Sequence, residues 1–162
     1  RREAARQAPG VNRMEPRFAG YADRVREVAR AQGFLDHLAV EVVLVEPGAV
    51  DLALSPGPEH AQQHGYVHGG AIATLCDSSC GLAALTLAGS EESALTIEFK
   101  VDFLRPARTG RLIARGRVVK PGRRISVMET NVYEQDAGER DGGREIHVAR
   151  GSATYAILPE GG

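Results

Sequence analysis

Tryptophan is absent from this chain of 162 residues, there are two cysteines, and aromatic residues make up 5% of the sequence. Cys76 and Cys80 lie four residues apart, so on a helix they share one face. Two ligands do not close a zinc site, and this spacing is not that of a zinc motif. We interpret both cysteines as small buried side chains in a reducing compartment, and we therefore expect a cytoplasmic protein.

Several signatures of common protein classes are also missing. No apolar run reaches the roughly 18 residues that a membrane-spanning helix needs. There is no Gly-x-Ser-x-Gly elbow, no Gly-x-Gly-x-x-Gly and no Walker-type phosphate loop, which argues against serine hydrolases, Rossmann domains and P-loop proteins. The formal net charge of −1 argues against bulk nucleic-acid binding. We expect neither a membrane nor a nucleic acid as a partner.

Lysine is scarce as well, since only Lys100 and Lys120 are present and arginine supplies the remaining positive charge. Eight basic residues and no acid lie between Arg105 and Arg124. This basic strip is either a solvated sheet face with a charged turn, or a local phosphate site, because guanidinium groups match phosphate oxygens. With a net charge near zero, such a strip suits a small phosphorylated ligand better than a polyanion.

Composition and local patterns predict a single domain. Residues 1–17 are rich in Arg, Ala, Gln and Pro and are assigned to a flexible N-terminal arm, and residues 18–162 form one domain. The predicted elements are a helix at 18–32, strands at about 38–46 and 49–55, a long helix that ends near Gly89, and strands at about 95–103, 111–120, 124–134 and 146–158.

The stretch from His64 to Leu87 contains the long helix, and its apolar residues lie on every side of the helix axis. Such a helix is expected to be buried. Asp77 is the one charge in its middle. A buried carboxylate is costly unless it is paired, protonated or used. Asp77 is therefore either a structural acid bonded to neighbouring groups or a candidate base or nucleophile.

Residues 95–103 alternate between apolar side chains at odd positions and polar side chains at even positions, which predicts an antiparallel strand with one buried face. The element order is most economically packed by laying the long helix across the concave side of one antiparallel sheet, an α+β fold. Half-exposed strands and a helix that is apolar all round favour a second copy, so we expect a symmetric homodimer at least.

Gly69 and Gly70 begin the long helix, where backbone N–H groups lack partners within the helix and the helix dipole is positive. Such amides can polarise a carbonyl and hold an oxyanion. Alternatively, the glycines only allow a tight entry to the helix. Asp77 follows Gly69 by eight residues, about 12 Å along the axis, so one carbonyl cannot contact both on the same helix. Two antiparallel helices across a two-fold axis would bring them together in two shared sites.

Three polar side chains precede this helix start. His64 and His68 have the four-residue spacing of metal-binding helices, but no third ligand is evident, and we expect no metal. His68 is expected to form hydrogen bonds that fix the helix entry. Gln62 lies in the preceding loop, where its amide either orients substrate or water, or is an ordinary surface group.

The run GYVHGGAIATLCDSSCG, followed by a strand that ends in FLRPARTG, resembles the hotdog-fold acyl-CoA thioesterases, in the branch that includes the phenylacetic-acid-pathway (PaaI-type) enzymes. The resemblance covers roughly residues 34–158. It implies a hotdog fold, an antiparallel sheet wrapped around a long central helix. It also implies hydrolysis of acyl-CoA thioesters without metal or bound cofactor, in dimers that often pair into tetramers.

The resemblance also implies roles for individual residues. Asp77 matches the catalytic carboxylate, and Gly69 matches the backbone donor that polarises the thioester carbonyl. Gln62 falls where relatives carry an amide that positions substrate or water, and Thr96 aligns with a hydroxyl residue that assists the water in some relatives. A related aryl-thioesterase branch has Thr at the position of Gly81 and Glu as its acid, so its substrate, 4-hydroxybenzoyl-CoA, is not expected here.

Further candidates would contact the substrate. The expected substrate-binding residues are His68, Gly70, Gly81, Arg105, Arg108, Arg123 and Arg124, the four arginines toward the phosphates of coenzyme A. Two other functions stay open. One is a non-catalytic acyl-CoA binding module, and the other is a hotdog hydratase or dehydratase, a chemistry that pairs a histidine such as His68 with an acid.

Overall fold

The structure, a computed structural model, describes residues 14–108, 110–135 and 144–160. Residues 1–13 of the expected N-terminal arm lie outside the described residues. The elements are α1 (Tyr21–Ala31), α2 (Gly33–His37), β1 (Glu41–Glu46), β2 (Ala49–Leu54), a 3-10 turn (Pro58–His60), α3 (Gly69–Leu85), β3 (Glu92–Phe103), β4 (Arg111–Lys120), β5 (Ile125–Gln135) and β6 (Glu145–Pro159).

The six strands form one antiparallel sheet in the order β1-β2-β4-β5-β6-β3, and α3 packs across one face of it. Pro47 and Gly48 make the tight turn between β1 and β2, and Gly48 has a φ of 77°, which favours glycine. The predicted α+β hotdog architecture, a sheet around a central helix, is confirmed. Among the described residues, no helix is both long and apolar enough to cross a membrane.

The central helix lies directly on the sheet at Gly116 of β4. A Cβ atom at this position would lie 2.2 Å from the main-chain oxygen of Ser79, so only glycine fits. The buried Ser79 hydroxyl lies 3.1 Å from the Thr130 hydroxyl of β5, which joins helix and sheet by a polar contact. Cys76 and Cys80 are free and buried, as predicted. Burial and the nearby Asp77 raise the pKa of the Cys76 thiol to about 12, so it remains protonated.

The expectation that α3 is buried on every side is wrong for this chain alone. A stripe of small and polar residues along the helix is partly or fully exposed: Gly70, Ala73, Thr74, Asp77, Ser78 and Gly81. The sheet covers the opposite side of the helix. The physical reason is that one sheet can cover only one side of a helix, so the remaining stripe has no cover within the described residues.

The predicted alternation in β3 is also wrong in register, because the strand contains a β-bulge at Ile97. Thr96 pairs with Tyr155, whereas Glu98 pairs with Thr154, so Ile97 has no partner in the ladder. The bulge shifts the side-chain alternation, and Thr96 faces α3 on the same side as Phe99. As the edge strand of the sheet, β3 leaves most of its large apolar side chains exposed: Leu95 56%, Ile97 55%, Phe99 45% and Phe103 57%.

The helices differ from prediction in three respects. The first helix begins at Tyr21 and not at 18, although it ends before Gly33 as the predicted range 18–32 implies. Gly33 then begins the short helix α2, which was not predicted, because Gln32 adopts an extended conformation and separates two helices. The long helix ends at Leu85 and not near Gly89. Its last turn is closed at Thr86, whose hydroxyl donates to Ala83 O (2.6 Å) and accepts from Gly48 N (2.8 Å).

Candidate active site

The carboxylate of Asp77 is held by two hydroxyl groups. Thr96 Oγ1 donates to Asp77 Oδ1 at 2.9 Å, and the Tyr155 hydroxyl lies 2.6 Å from the same oxygen. The Tyr155 hydroxyl is also 2.5 Å from the main-chain oxygen of Asp77. No described residue donates a hydrogen bond to Oδ2, and the Asp77 side chain is partly exposed. Asp77 is therefore fixed through one oxygen and free at the other.

Tyr155 was not among the sequence-predicted site residues. Burial first, and then its hydrogen bond to Asp77, raise the pKa of the Tyr155 phenol well above its ordinary value, so it remains a neutral donor. Gly81 makes room for this side chain, since a Cβ at Gly81 would lie 2.8 Å from the Tyr155 ring. The alternation in β6 could place Tyr155 on the helix-facing side, but the sequence carries no signal that sets it opposite Asp77.

The bulge at Ile97 brings Thr96 to the carboxylate. Without a bulge, a strand with Phe99 and Val101 facing the helix would turn Thr96 to the other side of the sheet. Sequence comparison therefore singled out Thr96 through its resemblance to relatives, while the alternation pattern pointed it away from Asp77.

At the start of α3, His68 is the N-cap residue, and its Nδ1 accepts a hydrogen bond from the Gly70 amide at 2.9 Å. This contact fixes the helix entry, as expected for His68, and it occupies the Gly70 N–H. Among the described residues, no acceptor takes the Gly69 N–H. The Phe103 ring lies close by, 3.3 Å from where a Cβ of Gly69 would be. The available donor at this helix start is therefore the Gly69 amide.

The loop before the helix is held by its backbone. Gln62 N donates to Tyr66 O at 2.8 Å, and Gln62 O accepts from Gly65 N at 2.9 Å, which leaves the Gln62 amide side chain partly exposed. The buried His60, which the sequence did not single out, accepts from Gly57 N (2.9 Å) and lies 3.0 Å from Leu38 O, so it fastens the loop to the chain before β1. Sequence offers no signal that separates His60 from the exposed His64.

Within the described part of the chain, the predicted basic strip divides into arginines with an acidic partner and arginines without one. Arg111, Arg115 and Arg117 form ion pairs with Glu41, Glu145 and Asp51, respectively. At these three positions of β4, the basic strip is thus a sheet face with neutralised charges. No group of three His, Cys, Asp or Glu side chains in the described part of the chain could hold a metal ion.

The four arginines expected to bind coenzyme A lie at the two ends of β4. Arg108 stacks over the Tyr66 ring (4.6 Å) and donates to its hydroxyl (3.0 Å), next to the loop that leads into α3. Arg105 donates to His147 O at 3.1 Å. Arg123 and Arg124 are exposed in the turn after β4, as predicted. Ten residues of strand separate the two pairs, about 33 Å, so one chain does not bring them together.

A cavity of about 290 Å³ opens beside Asp77, between α1, α3, the first half of β3 and the end of β6. Asp77, Thr96 and Tyr155 lie on its wall. This Asp77 cavity, the fixed carboxylate and the Gly69 amide, which has no acceptor among the described residues, would suit acyl transfer, in which a carboxylate acts on a carbonyl polarised by an N–H donor. The distance of about 12 Å along α3 between Gly69 and Asp77 keeps the two apart in one chain.

Comparison with known proteins agrees with this geometry. The model of the thioesterase superfamily matches residues 64–140, which contain α3 and β3 to β5. A protein of Halobacterium salinarum that carries the name of an esterase is 36% identical over 126 residues, 74% of this chain and 82% of the relative. The medium/long-chain acyl-CoA thioesterase YigI of Salmonella typhimurium is 29% identical over 104 residues, 56% of this chain and 62% of YigI.

Comparison with solved structures also finds similarity to thioesterases. A thioesterase family protein from Silicibacter pomeroyi has a TM-score of 0.81 at 37% identity, covering 86% of this chain and 99% of that one. The PaaI protein of the Escherichia coli phenylacetic acid degradation operon has a TM-score of 0.74 at 18% identity, covering 88% and 94%, and this likeness is one of fold. The chain therefore belongs to the thioesterase superfamily and has the hotdog fold, as the motif around Gly69 and Asp77 indicated.

Proposed function

We propose that this protein hydrolyses acyl-CoA thioesters to a free acid and coenzyme A. The observation that carries the proposal is the Asp77 carboxylate on the wall of a cavity, which two hydroxyl groups hold at Oδ1 while Oδ2 accepts from no described residue. The name of YigI, an acyl-CoA thioesterase, supports the choice of substrate.

In the proposed reaction, the Gly69 amide donates to the thioester oxygen and stabilises the negative charge that develops there. Asp77 Oδ2 takes a proton from water as the water oxygen attacks the carbonyl carbon, or Oδ2 attacks that carbon itself and water then hydrolyses the anhydride. The C–S bond breaks, and the sulfur leaves as a thiolate that takes up a proton. One water is consumed, and one carboxylic acid and one thiol are formed.

The proposed site is shared between two copies of the chain. On β3, Phe103 lies beside Gly69 of α3, and Thr96 lies beside Asp77 of α3. A second β3 that pairs antiparallel with this exposed edge, centred midway between them near Phe99, would set the Gly69 of each copy opposite the Asp77 of the other. The exposed stripe of α3 and the apolar side chains of β3 would then be covered.

The same antiparallel arrangement supports a role for the arginines. It would bring the end of one copy that carries Arg123 and Arg124 to the side of the other copy that carries Arg105 and Arg108. Guanidinium groups from both ends could then meet the phosphates of one coenzyme A. Assembly of two such dimers into a tetramer remains part of the proposal, as does the function of Gln62 in positioning substrate or water.

Replacement of Asp77 by Asn tests the mechanism. We expect Asp77→Asn to lower kcat by at least about 100-fold, because the amide cannot accept a proton or attack, and to leave the circular dichroism spectrum unchanged. Thiol release from acyl-CoA substrates measures the rate. Asp36→Asn is the matched control, since Asp36 is an exposed carboxylate on α2. Full turnover in Asp77→Asn would overturn the mechanism.

The same assays distinguish the other candidate functions. Tight binding of acyl-CoA by the wild-type protein without thiol release would identify a binding module. Addition of water to crotonyl-CoA without thiol release would identify a hydratase. Either result would overturn the proposed hydrolysis.

A further inference from the structure

The Asp77 cavity changes in polarity along its length. Near Asp77 its wall carries the hydroxyl groups of Thr96 and Tyr155. Farther along α3 the wall becomes apolar, with Leu82 and Leu85 of the helix facing Val28 of α1. A polar entrance that leads into an apolar channel matches the chemistry of an acyl group, whose carbonyl is polar and whose chain is not.

Arg24 closes the far end of this channel. It is mostly buried and donates to the main-chain oxygens of Gly89 (2.6 Å) and Glu92 and to the carboxylate of Glu160. Two guanidinium nitrogens are thus occupied by three acceptors from the α3–β3 connection and the end of β6. Arg24 is fixed and its charge is paired, so it ends the channel as a rigid polar wall and not as a free cation that would attract an anionic group.

The closing wall belongs to α1, which precedes the segment that the thioesterase superfamily model matches. The catalytic residues Gly69, Asp77 and Thr96 all lie inside that segment. In this chain, therefore, the reacting groups and the end of the channel come from different parts of the sequence. The residues of α1 that end the channel can change while the reacting groups stay the same.

We propose that α1 determines the length of the acyl chain that this protein accepts, with Val28 narrowing the channel and Arg24 ending it. The inference rests on the proposed function, because it takes Asp77 as the point where the thioester carbonyl lies. The channel follows α3 from Asp77 to Leu85, eight residues or about 12 Å. An extended chain advances about 1.2 Å per bond, as three backbone bonds span about 3.6 Å. The preferred acyl group thus has about eight to ten carbons.

In the wild-type protein, this limit should appear as a change in the slope of kcat/KM plotted against acyl-chain length. Each buried methylene contributes about 0.8 kcal/mol, so kcat/KM should rise about fourfold per added carbon from acetyl-CoA onward. The rise should stop at about eight to ten carbons, where the chain reaches Arg24. A panel of saturated acyl-CoA substrates, read by thiol release, measures the profile. S-alkyl-CoA thioethers of the same lengths, which cannot be hydrolysed, measure binding alone.

Val28→Phe tests the wall directly, since the ring fills the channel without touching Asp77. We expect the preferred length to fall by two or more carbons, because the ring shortens the space that the acyl chain can occupy. Glu27→Phe is the matched control, because it adds the same ring to the exposed side of α1. Arg24→Ala should shift the profile toward longer chains, and Arg26→Ala, exposed on the same helix, should not. If Arg24→Ala does not fold, the comparison of Val28→Phe with Glu27→Phe tests the inference alone.

The outcomes separate this inference from the proposed function. Parallel chain-length profiles for wild type and Val28→Phe would overturn the inference while leaving hydrolysis intact. Absence of thioether binding at every length would overturn it as well. Thioether binding that shifts with Val28→Phe, without any thiol release from acyl-CoA, would support the channel and refute hydrolysis.

Discussion

Tyr155 carries one hydroxyl proton and faces two acceptors on the same residue, the main-chain oxygen of Asp77 at 2.5 Å and its Oδ1 at 2.6 Å. The proton is shared between them or donated to one at a time, and in both cases the phenol oxygen lies between the Asp77 carboxylate and the helix backbone. Thr96 adds a second donor at 2.9 Å. Under the proposed mechanism Tyr155 is thus a positioning residue, because it would act on the reaction through Asp77.

Removal of this hydroxyl should slow the reaction more than it weakens substrate binding. A hydrogen bond to a charged group contributes about 1.5–3 kcal/mol, so Tyr155→Phe should lower kcat about tenfold or more with little change in KM. Tyr133→Phe is the control, since Tyr133 stacks on His147 and its hydroxyl has no partner among the described residues. An unchanged kcat in Tyr155→Phe would contradict the role.

The pH dependence tests the same contact. The raised pKa of Tyr155 keeps its phenol protonated above its ordinary value of 10.0, so the wild-type rate should not fall as pH approaches 10. After subtraction of the uncatalysed hydrolysis, a loss of activity near pH 10 that is absent from Tyr155→Phe would show that the phenol ionises there, contrary to expectation.

At the scale of the elements, α3 and β4 approach so closely that the backbone of each limits the side chains of the other. The contact between Gly116 and the main-chain oxygen of Ser79 sets the height of the helix above the sheet. The distance between α3 and the sheet in turn determines whether the Tyr155 side chain of β6 can pass Gly81 and contact Asp77. The close packing of α3 and β4 therefore supports the contact that Tyr155 of β6 makes with Asp77.

Gly116→Ala should destabilise the fold, because a Cβ 2.2 Å from backbone cannot be relieved by a rotamer change. Overpacking of this kind costs about 1–3 kcal/mol, so the thermal midpoint should fall by about 3–10 °C. Gly33→Ala is the matched control, as a Cβ there meets nothing within 4 Å, and its midpoint should stay near that of wild type. Equal midpoints for the two variants would show that helix and sheet are not in contact at Gly116.

For the whole molecule, the separation of Gly69 from Asp77 makes each chain incomplete under the proposed mechanism. One variant at each position removes the group that this residue would contribute to the site. Asp77→Asn removes the acid, and Gly69→Pro removes the free N–H while proline remains compatible with the first turn of a helix. His68 before it has φ −62° and ψ 134°, which proline tolerates in the preceding residue.

Mixing these two inactive variants should restore activity. Random exchange of subunits makes about half of the dimers hybrid, and each hybrid has one complete site of two, so about a quarter of wild-type turnover should return. Mixing Asp77→Asn with Asp77→Ala is the control and should restore nothing. The absence of recovery in hybrids verified by mass spectrometry would contradict a shared site.

By itself, the sequence determined the order of the six strands and of the first and central helices, the position of the central helix and the pair of Gly69 and Asp77, because these depend on local periodicity and on spacing along one helix. Element ends were less certain, since caps such as Thr86 depend on contacts with distant residues such as Gly48.

Only the tertiary structure decided which residues meet Asp77 and what closes the cavity beside it. Tyr155 lies 78 residues from Asp77 along the chain, and Arg24 lies 65 residues from Gly89. Thr96 reaches the carboxylate because of the β-bulge at Ile97. The regular alternation of residues 95–103 in the sequence gives no sign of this bulge. Such contacts follow from strand register and helix height, which are set by the packing of the whole sheet and leave no periodic trace in the sequence.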